Sequence, residues 1–325
     1  MKIYFIINPM AGFGGFQKLV RKAVAYLSQK GHQVEASETE GPGDATKLAA
    51  QAAEAGFDVA VAVGGDGTIN EVINGLAGTE TALAVLPAGT ANVFAADVHV
   101  PIWWPLNPDA VFKAADVIVT GQQRRVDLGL VHFADGSSRY FLMWCGIGLD
   151  AAISESRRSR EEGKRSLGYA AWIISGLMTT LDFMGTPATL ITDGETIRDP
   201  LLLAVVSNGQ LYGRLWRMAP KAKMDDGVLD VGVLTGNRWP TTVRHVVGLT
   251  IRQHVKDPNF NLYHTTHLSL EAKEPLPVHV DAETIGTTPI EIEVVPRILT
   301  VIVPHDAPQR LFAQDLAEES YFGNR

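Results

Sequence analysis

Over the first third of the chain, short apolar runs alternate with stretches whose apolar residues recur at helical spacing. Residues 2–7 read as a buried strand that stops at Asn8-Pro9. Residues 16–31 carry Leu19, Ala23 and Leu27 at helical intervals and end at Gly31. The same alternation gives a strand over 33–37, an Ala-rich helix over 44–55 closed by Gly56, and a near-continuous apolar strand over 58–63. A helix over 68–76 and a strand over 83–86 before Pro87 follow. Strands apolar throughout and separated by helices predict a doubly wound parallel sheet in an α/β domain. Near Arg124-Arg125-Val126-Asp127 the texture changes. From there to about Pro304 the chain reads as short strands rich in Val, Leu, Ile and Thr, separated by turns such as Ala134-Asp135-Gly136-Ser137. That pattern predicts a mainly antiparallel β-sandwich, interrupted by one long helix over 166–183. The expected division is residues 1–124 and 125–304. The polar end, 305–325, is expected to pack back on the first domain or to fray.

Composition narrows the classes. The 325 residues suffice for two domains, and 46% hydrophobic with 20% charged residues supports real cores rather than disorder. A net charge of −8 argues against a nucleic-acid partner. The single cysteine, Cys145, follows Tyr140-Phe141-Leu142-Met143-Trp144 and reads as a buried, inert thiol. The amino-terminal apolar run is too short for a signal segment, and no stretch approaches the ~20 apolar residues of a membrane span. A cytoplasmic protein, at most peripheral to a membrane, is expected.

The candidate chemistry begins at Gly64-Gly65-Asp66-Gly67-Thr68-Ile69-Asn70-Glu71, between the strand at 58–63 and a helix. Its glycines admit a phosphate close to backbone N–H groups. Thr68 is placed to cap the helix, whose amino end favours an anion. Asp66 repels phosphate unless a divalent cation stands between them, so the loop points to Mg²⁺ with ATP. Read blandly, the same loop is a tight turn made of ordinary turn residues. Two further small-residue loops, Asn8-Pro9-Met10-Ala11-Gly12 and Pro87-Ala88-Gly89-Thr90-Ala91-Asn92, also follow strands. Loops at the carboxyl ends of parallel strands converge on one crevice.

These three motifs, in this order, resemble those of the diacylglycerol kinase catalytic family, in particular its bacterial soluble lipid kinases. The resemblance implies transfer of the ATP γ-phosphate to the hydroxyl of diacylglycerol or a related lipid, in lipid metabolism and phospholipid biosynthesis. It implies nucleotide contacts from Asn8, Thr39, Gly64, Gly65, Asp66, Gly67, Thr68, Asn70 and Thr90. Two Asp-x-Glu candidates match the family's acidic triplet. Asp193-Gly194-Glu195 is read as an exposed hairpin turn. Asp281-Ala282-Glu283 has the right place before the last strands, so the resemblance makes Glu283 the general base and Asp281 its positioning or metal partner. It also implies a structural divalent ion on Asp226 and the carbonyls of Lys223 and Val228, with Asp127 extending the network. Two positions depart from the pattern: Ala282 replaces a glycine, and Asn92-Val93-Phe94-Ala95 has Val93 where much of the family has an acid. Asp97 would substitute only if its helix turned it inward, which is not expected.

Access to a lipid implies peripheral membrane contact. The basic run Arg157, Arg158, Arg160, Lys164 and Arg165 before the apolar helix fits that role, extended by Lys18 and Arg21. The Trp103-Trp104-Pro105 loop reads as an interfacial anchor or as residues packed on a core. Relatives often form homodimers. Two other readings stay open: an NAD kinase, which shares the Gly-Gly-Asp-Gly-Thr loop, and a non-catalytic lipid- or nucleotide-binding regulator.

Overall fold

A computed structural model describes residues 1–12, 15–104, 106–148, 185–213, 216–236, 259–281 and 283–313. The basic run at 157–165, the long helix expected at 166–183, Pro105 and Ala282 lie outside the described residues. The chain divides into two compact units. The first holds Met1–Leu128, Lys223–Gly227 and the chain from Val295 onward; the second holds Gly129–Ala222 and Val228–Val294. Where the sequence texture put the division at 124/125, the first unit reaches four residues further and recovers two distant segments.

In the first unit β1 (Lys2–Ile7), β2 (Gln33–Glu38), β3 (Val59–Gly64) and β4 (Ala82–Pro87) form a parallel sheet in the order β4-β3-β1-β2. Every residue of β3 and β4 is buried, as strands covered on both faces require. Helix α1 (Phe16–Gln29) buries Phe16, Val20, Ala23 and Leu27. These pack with Val111, Ala115 and Ile118 of α5 (Ala110–Thr120) against Ile3, Phe5, Val61 and Val63. Helices α2 (Asp44–Glu54) and α3 (Asp66–Leu76) pack together and on β3, completing the doubly wound arrangement. Between β4 and α5 stands the five-residue α4 (Val93–Asp97). The sequence reading assigned no element to 110–120; its apolar face becomes evident only against α1.

Residues 305–313 also pack into this unit. Leu311 and Phe312 are buried, the Arg124 guanidinium lies 4.7 Å from the centre of the Phe312 ring, and Met224 N donates to Leu311 O. The remainder, 314–325, lies outside the described residues.

The second unit is antiparallel. Its strands run from β5 (Gln122–Phe133), which begins in the first unit, through β6 (Ser138–Phe141), β7 (Trp144–Gly148), β8 (Thr186–Thr192) and β9 (Thr196–Ser207). They continue with β10 (Leu211–Tyr212), β11 (Trp216–Arg217), β12 (Leu229–Thr235), β13 (Phe260–Thr265) and β14 (His267–Ala272). The last are β15 (Pro277–Val280), β16 (Glu283–Thr287) and β17 (Ile290–Val303), which ends in the first unit with Val301 paired in parallel to Leu83. Strand β9 serves two layers. Its first half pairs with β8, which leads to β14 and the start of β17; its second half pairs with β7 and β12. Pro187 faces Pro200 near the point of change, and neither has an N–H to give the ladder. Leu190, Leu268 and Ile292 of one layer pack with Cys145, Val206, Val231 and Val278 of the other in one sandwich core. Cys145 is buried and in no disulfide, as expected.

Asp193-Gly194-Glu195 is a hairpin turn between β8 and β9, with Thr192 N donating to Glu195 O. Asp193 further accepts from the backbone N–H and hydroxyl of Thr266, and these bonds hold its carboxyl below the usual range.

Close packing at Gly129 gives a stability test. A methyl group there would overlap the Phe141 ring across the β5–β6 pair. Gly129→Ala is expected to destabilise the second unit by about 1–3 kcal/mol. Calorimetry checks this: its transition should fall by several degrees while that of the first unit holds.

Candidate active site

The strand order sets where a ligand can enter. From β1 the chain moves outward to β2; from β3 it moves the opposite way to β4, so the switch falls between β1 and β3. In open α/β sheets the crevice opens there, beyond the carboxyl ends of the strands. Asn8 and Gly64–Thr68 stand at that point, joined by a hydrogen bond of 3.2 Å from Asn8 Nδ2 to Thr68 Oγ1. Asn8 Oδ1 accepts from Met10 N, and Gln17 Nε2 donates to the carbonyls of Asn8, Pro9 and Ala11, so the first loop is gripped at both ends. Thr39 N donates to Ile7 O, which brings the half-buried Thr39 beside the same loop.

The loop after β4 is tied to the loop after β3 by backbone contact. A Cβ built on Gly89 would lie 2.5 Å from the Cα of Gly65. No side chain fits between them. Asn92, fully buried at φ 49°, clasps Gly89 from both sides: its Oδ1 accepts from Gly89 N at 2.8 Å and its Nδ2 donates to Gly89 O at 2.6 Å. Asp66 Oδ1 accepts from Val93 N at 2.7 Å. Val93 thus supplies the backbone tie while its side chain is buried. Thr90 stays exposed at the mouth.

Helix α3 starts at Asp66, two residues earlier than the sequence suggested. Thr68 is therefore inside the first turn and does not cap it; Gly65 is the N-cap, with no side-chain bond. That leaves the amino end of an 11-residue helix, with Gly67 exposed, available to an anion. Asn70 is fully buried, and Asn74 Nδ2 donates to its backbone carbonyl. Asp97 departs from expectation: it is buried, because the fifth residue of α4 faces the interior.

The family described as diacylglycerol kinase catalytic domain matches residues 2–131. A second, the YegS C-terminal NAD kinase beta sandwich-like domain, matches residues 144–303. The chain thus resembles the diacylglycerol kinase catalytic-domain family over its first part and the YegS sandwich domain over its second. A diacylglycerol kinase of Bacillus subtilis (strain 168) is 28% identical over 309 residues, covering 94% of this chain and 97% of the relative. One from Staphylococcus aureus (strain bovine RF122 / ET3-1) is 27% identical over 319 residues, covering 97% and 96%. The crystal structure of a diacylglycerol kinase from Bacillus anthracis str. Sterne has a TM-score of 0.69 and 25% identity, covering 94% of this chain and 98% of that one. The protein is thus an enzyme of a lipid kinase family.

In this kinase the acids of Asp281-Ala282-Glu283 do different things. Strands β15 and β16 pair Val280 with Glu283, and Asp281 takes φ 45°. The Asp281 carboxylate is buried and accepts from the backbone N–H groups of Leu142, Met143 and Trp144 at 2.9, 2.9 and 3.2 Å. These bonds make it the anchor of that loop. Glu283 is half-buried, with Arg139 Nη2 at 3.4 Å from Oε2.

Asp127 is fully buried and also acts on backbone: Oδ1 accepts from Arg297 N and Oδ2 from Gly227 N, each at 2.7 Å. Burial pushes its carboxyl above the usual range, and the charges of Asp226 and Asp225 push it further. A concentration of negative charge among oxygen donors suits a hard divalent cation. Among the described residues no three His, Cys, Asp or Glu side chains group as a metal site, so such an ion would depend on Asp226 with carbonyl oxygens, as expected of Lys223 and Val228.

The sequence reading missed Gln17 and the clasping role of Asn92. A single Gln on a helix carries no local signal; Asn92 was visible as a residue able to take φ > 0, but its target was not. Gly89→Ala is expected to separate the two glycine loops and weaken ATP binding by at least about tenfold, measured by titration calorimetry, since overpacking here displaces backbone.

Proposed function

We propose that this enzyme transfers the γ-phosphate of ATP to a hydroxyl of diacylglycerol or a closely related lipid. The observation that carries the reading is the meeting of the Asn8, Gly64–Thr68 and Gly89–Asn92 loops with the free amino end of α3 at the topological switch point. In this reading the Gly65 and Gly67 backbone, Asn8, Thr39, Thr68 and Thr90 bind the nucleotide. The α3 amino end and nearby N–H groups stabilise charge on the transferring phosphoryl group. Asp66 would hold Mg²⁺ supplied with ATP, which would offset phosphate charge. Asp226, with the Lys223 and Val228 carbonyls, would hold a second divalent ion in a structural role.

Glu283 takes the proton of the lipid hydroxyl as its oxygen forms the new bond to the γ-phosphorus. The bond from that phosphorus to the β–γ bridging oxygen breaks, and ADP leaves. Arg139 orients the Glu283 carboxylate, and Asp281 holds the backbone beneath it. Peripheral contact with a membrane and a cytoplasmic location accompany this reading.

The family match to an NAD kinase-like sandwich gives the alternative acceptor a specific basis. Purified protein with labelled ATP, Mg²⁺ and either diacylglycerol vesicles or NAD separates the readings. Labelled phosphatidic acid is expected, lost on chelation of the metal. Label in NAD would replace the lipid reading, and no transfer to either acceptor would favour the non-catalytic one. Glu283→Gln is expected to lower kcat by about 10²–10⁴ with ATP affinity kept. Full turnover in that variant would remove Glu283 as base.

A further inference from the structure

The first unit exposes large apolar side chains at one end. Its described residues include four that stand open to solvent: Met1, Met10, Trp104 and Leu106. Met1 only begins the chain ahead of β1. Met10, 76% exposed, lies in the loop beyond the carboxyl end of β1. Trp104 and Leu106 are 60% and 90% exposed, and Asn107 N donates to Trp104 O at 2.7 Å. The neighbouring Trp103 is buried and packs on Phe16, the first residue of α1, with ring centroids 5.1 Å apart. That contact fixes the turn at the end of the sheet where the phosphate loops open. Isolated apolar side chains on a surface need no explanation, but Trp104 and Leu106, two residues apart and both exposed, form a local apolar point.

We infer that Trp104 and Leu106 form an apolar tip that inserts into the interface of a lipid bilayer, bringing the nucleotide-binding end of this unit to the membrane surface. The inference rests on the lipid reading above, which requires an enzyme without a described membrane-spanning helix to work at a bilayer. Tryptophan suits the occupant: its ring is apolar with one polar edge and settles at headgroup depth. Leu106 adds an aliphatic group for the acyl boundary. The exposed Lys18, in the first turns of α1, adds attraction to anionic lipid, and the exposed Asp109 offsets it. Insertion is therefore mainly apolar and only weakly sensitive to salt.

The probe is sedimentation of the full chain with phosphatidylcholine vesicles, with and without phosphatidylglycerol. The double variant Trp104→Ser, Leu106→Ser is expected to partition at least about tenfold less onto both, from the loss of two buried apolar groups. Trp104→Phe should keep partitioning but lose most of the fluorescence quenching by brominated lipid. Activity on a short-chain, monomeric diacylglycerol should survive in the double variant, while activity on vesicle-embedded substrate falls with partitioning. Unchanged partitioning in a folded double variant overturns the inference. So does self-association of the wild type that the double variant abolishes without changing vesicle binding, since the occupant is then a second copy. Loss of partitioning in the variant, with no lipid phosphorylation by the wild type on either substrate, upholds the tip and rejects the kinase reading alone.

Discussion

Two stretches of backbone meet where no side chain can stand between them. Gly65 and Gly89 lie at the ends of adjacent parallel strands, and a methyl group on Gly89 would press on the Cα of Gly65. Because the contact is backbone to backbone, it locks two glycine loops into one body, and the other features of the site follow from it. Asn92 clasps Gly89 from a buried position, and Asp66 reaches across to Val93 N. Asn8 joins from the third loop through Thr68. A surface assembled in this way is ordered before a ligand arrives, which lowers the conformational cost of binding.

Buried carboxylates in both units serve the backbone. Asp281 satisfies three successive N–H groups of the loop at Leu142–Trp144. Asp127 spans Gly227 and Arg297, tying segments far apart in sequence into the first unit. An ionised acid that accepts several N–H bonds can tolerate burial, because each charge-assisted bond replaces part of its lost hydration. Asp127 does so incompletely: burial and the two neighbouring acids still raise its pKa. Glu283, two residues from Asp281, keeps partial exposure beside Arg139. Of the two acids it is the more open to solvent.

Local periodicity carried much of the fold. Strands β1, β3 and β4 are continuous apolar runs, and α1 and α2 repeat their apolar residues at helical spacing; these features hold whatever the neighbours are. The turn at Asp193-Gly194-Glu195 was likewise legible from short-range chemistry. Helix α5 was not: its apolar face, rich in Ala and Val, gains meaning from α1 opposite. The start of α3 moved to Asp66 because a glycine following a strand can serve as N-cap without any side-chain bond.

By itself the sequence determined the alternation of strand and helix, the antiparallel second half, and three loops of small residues with one acid among them, because each is written in neighbouring residues. Tertiary structure decided which polar groups face a ligand. It turned Asn70 and Asp97 inward, gave Asp281 to three backbone N–H groups, left Glu283 at the surface, and buried Trp103 while exposing Trp104. Those outcomes depend on partners far away in the chain, 139 residues for Asp281 with Leu142 and 144 for Glu283 with Arg139, and spacing along the sequence carries no record of them.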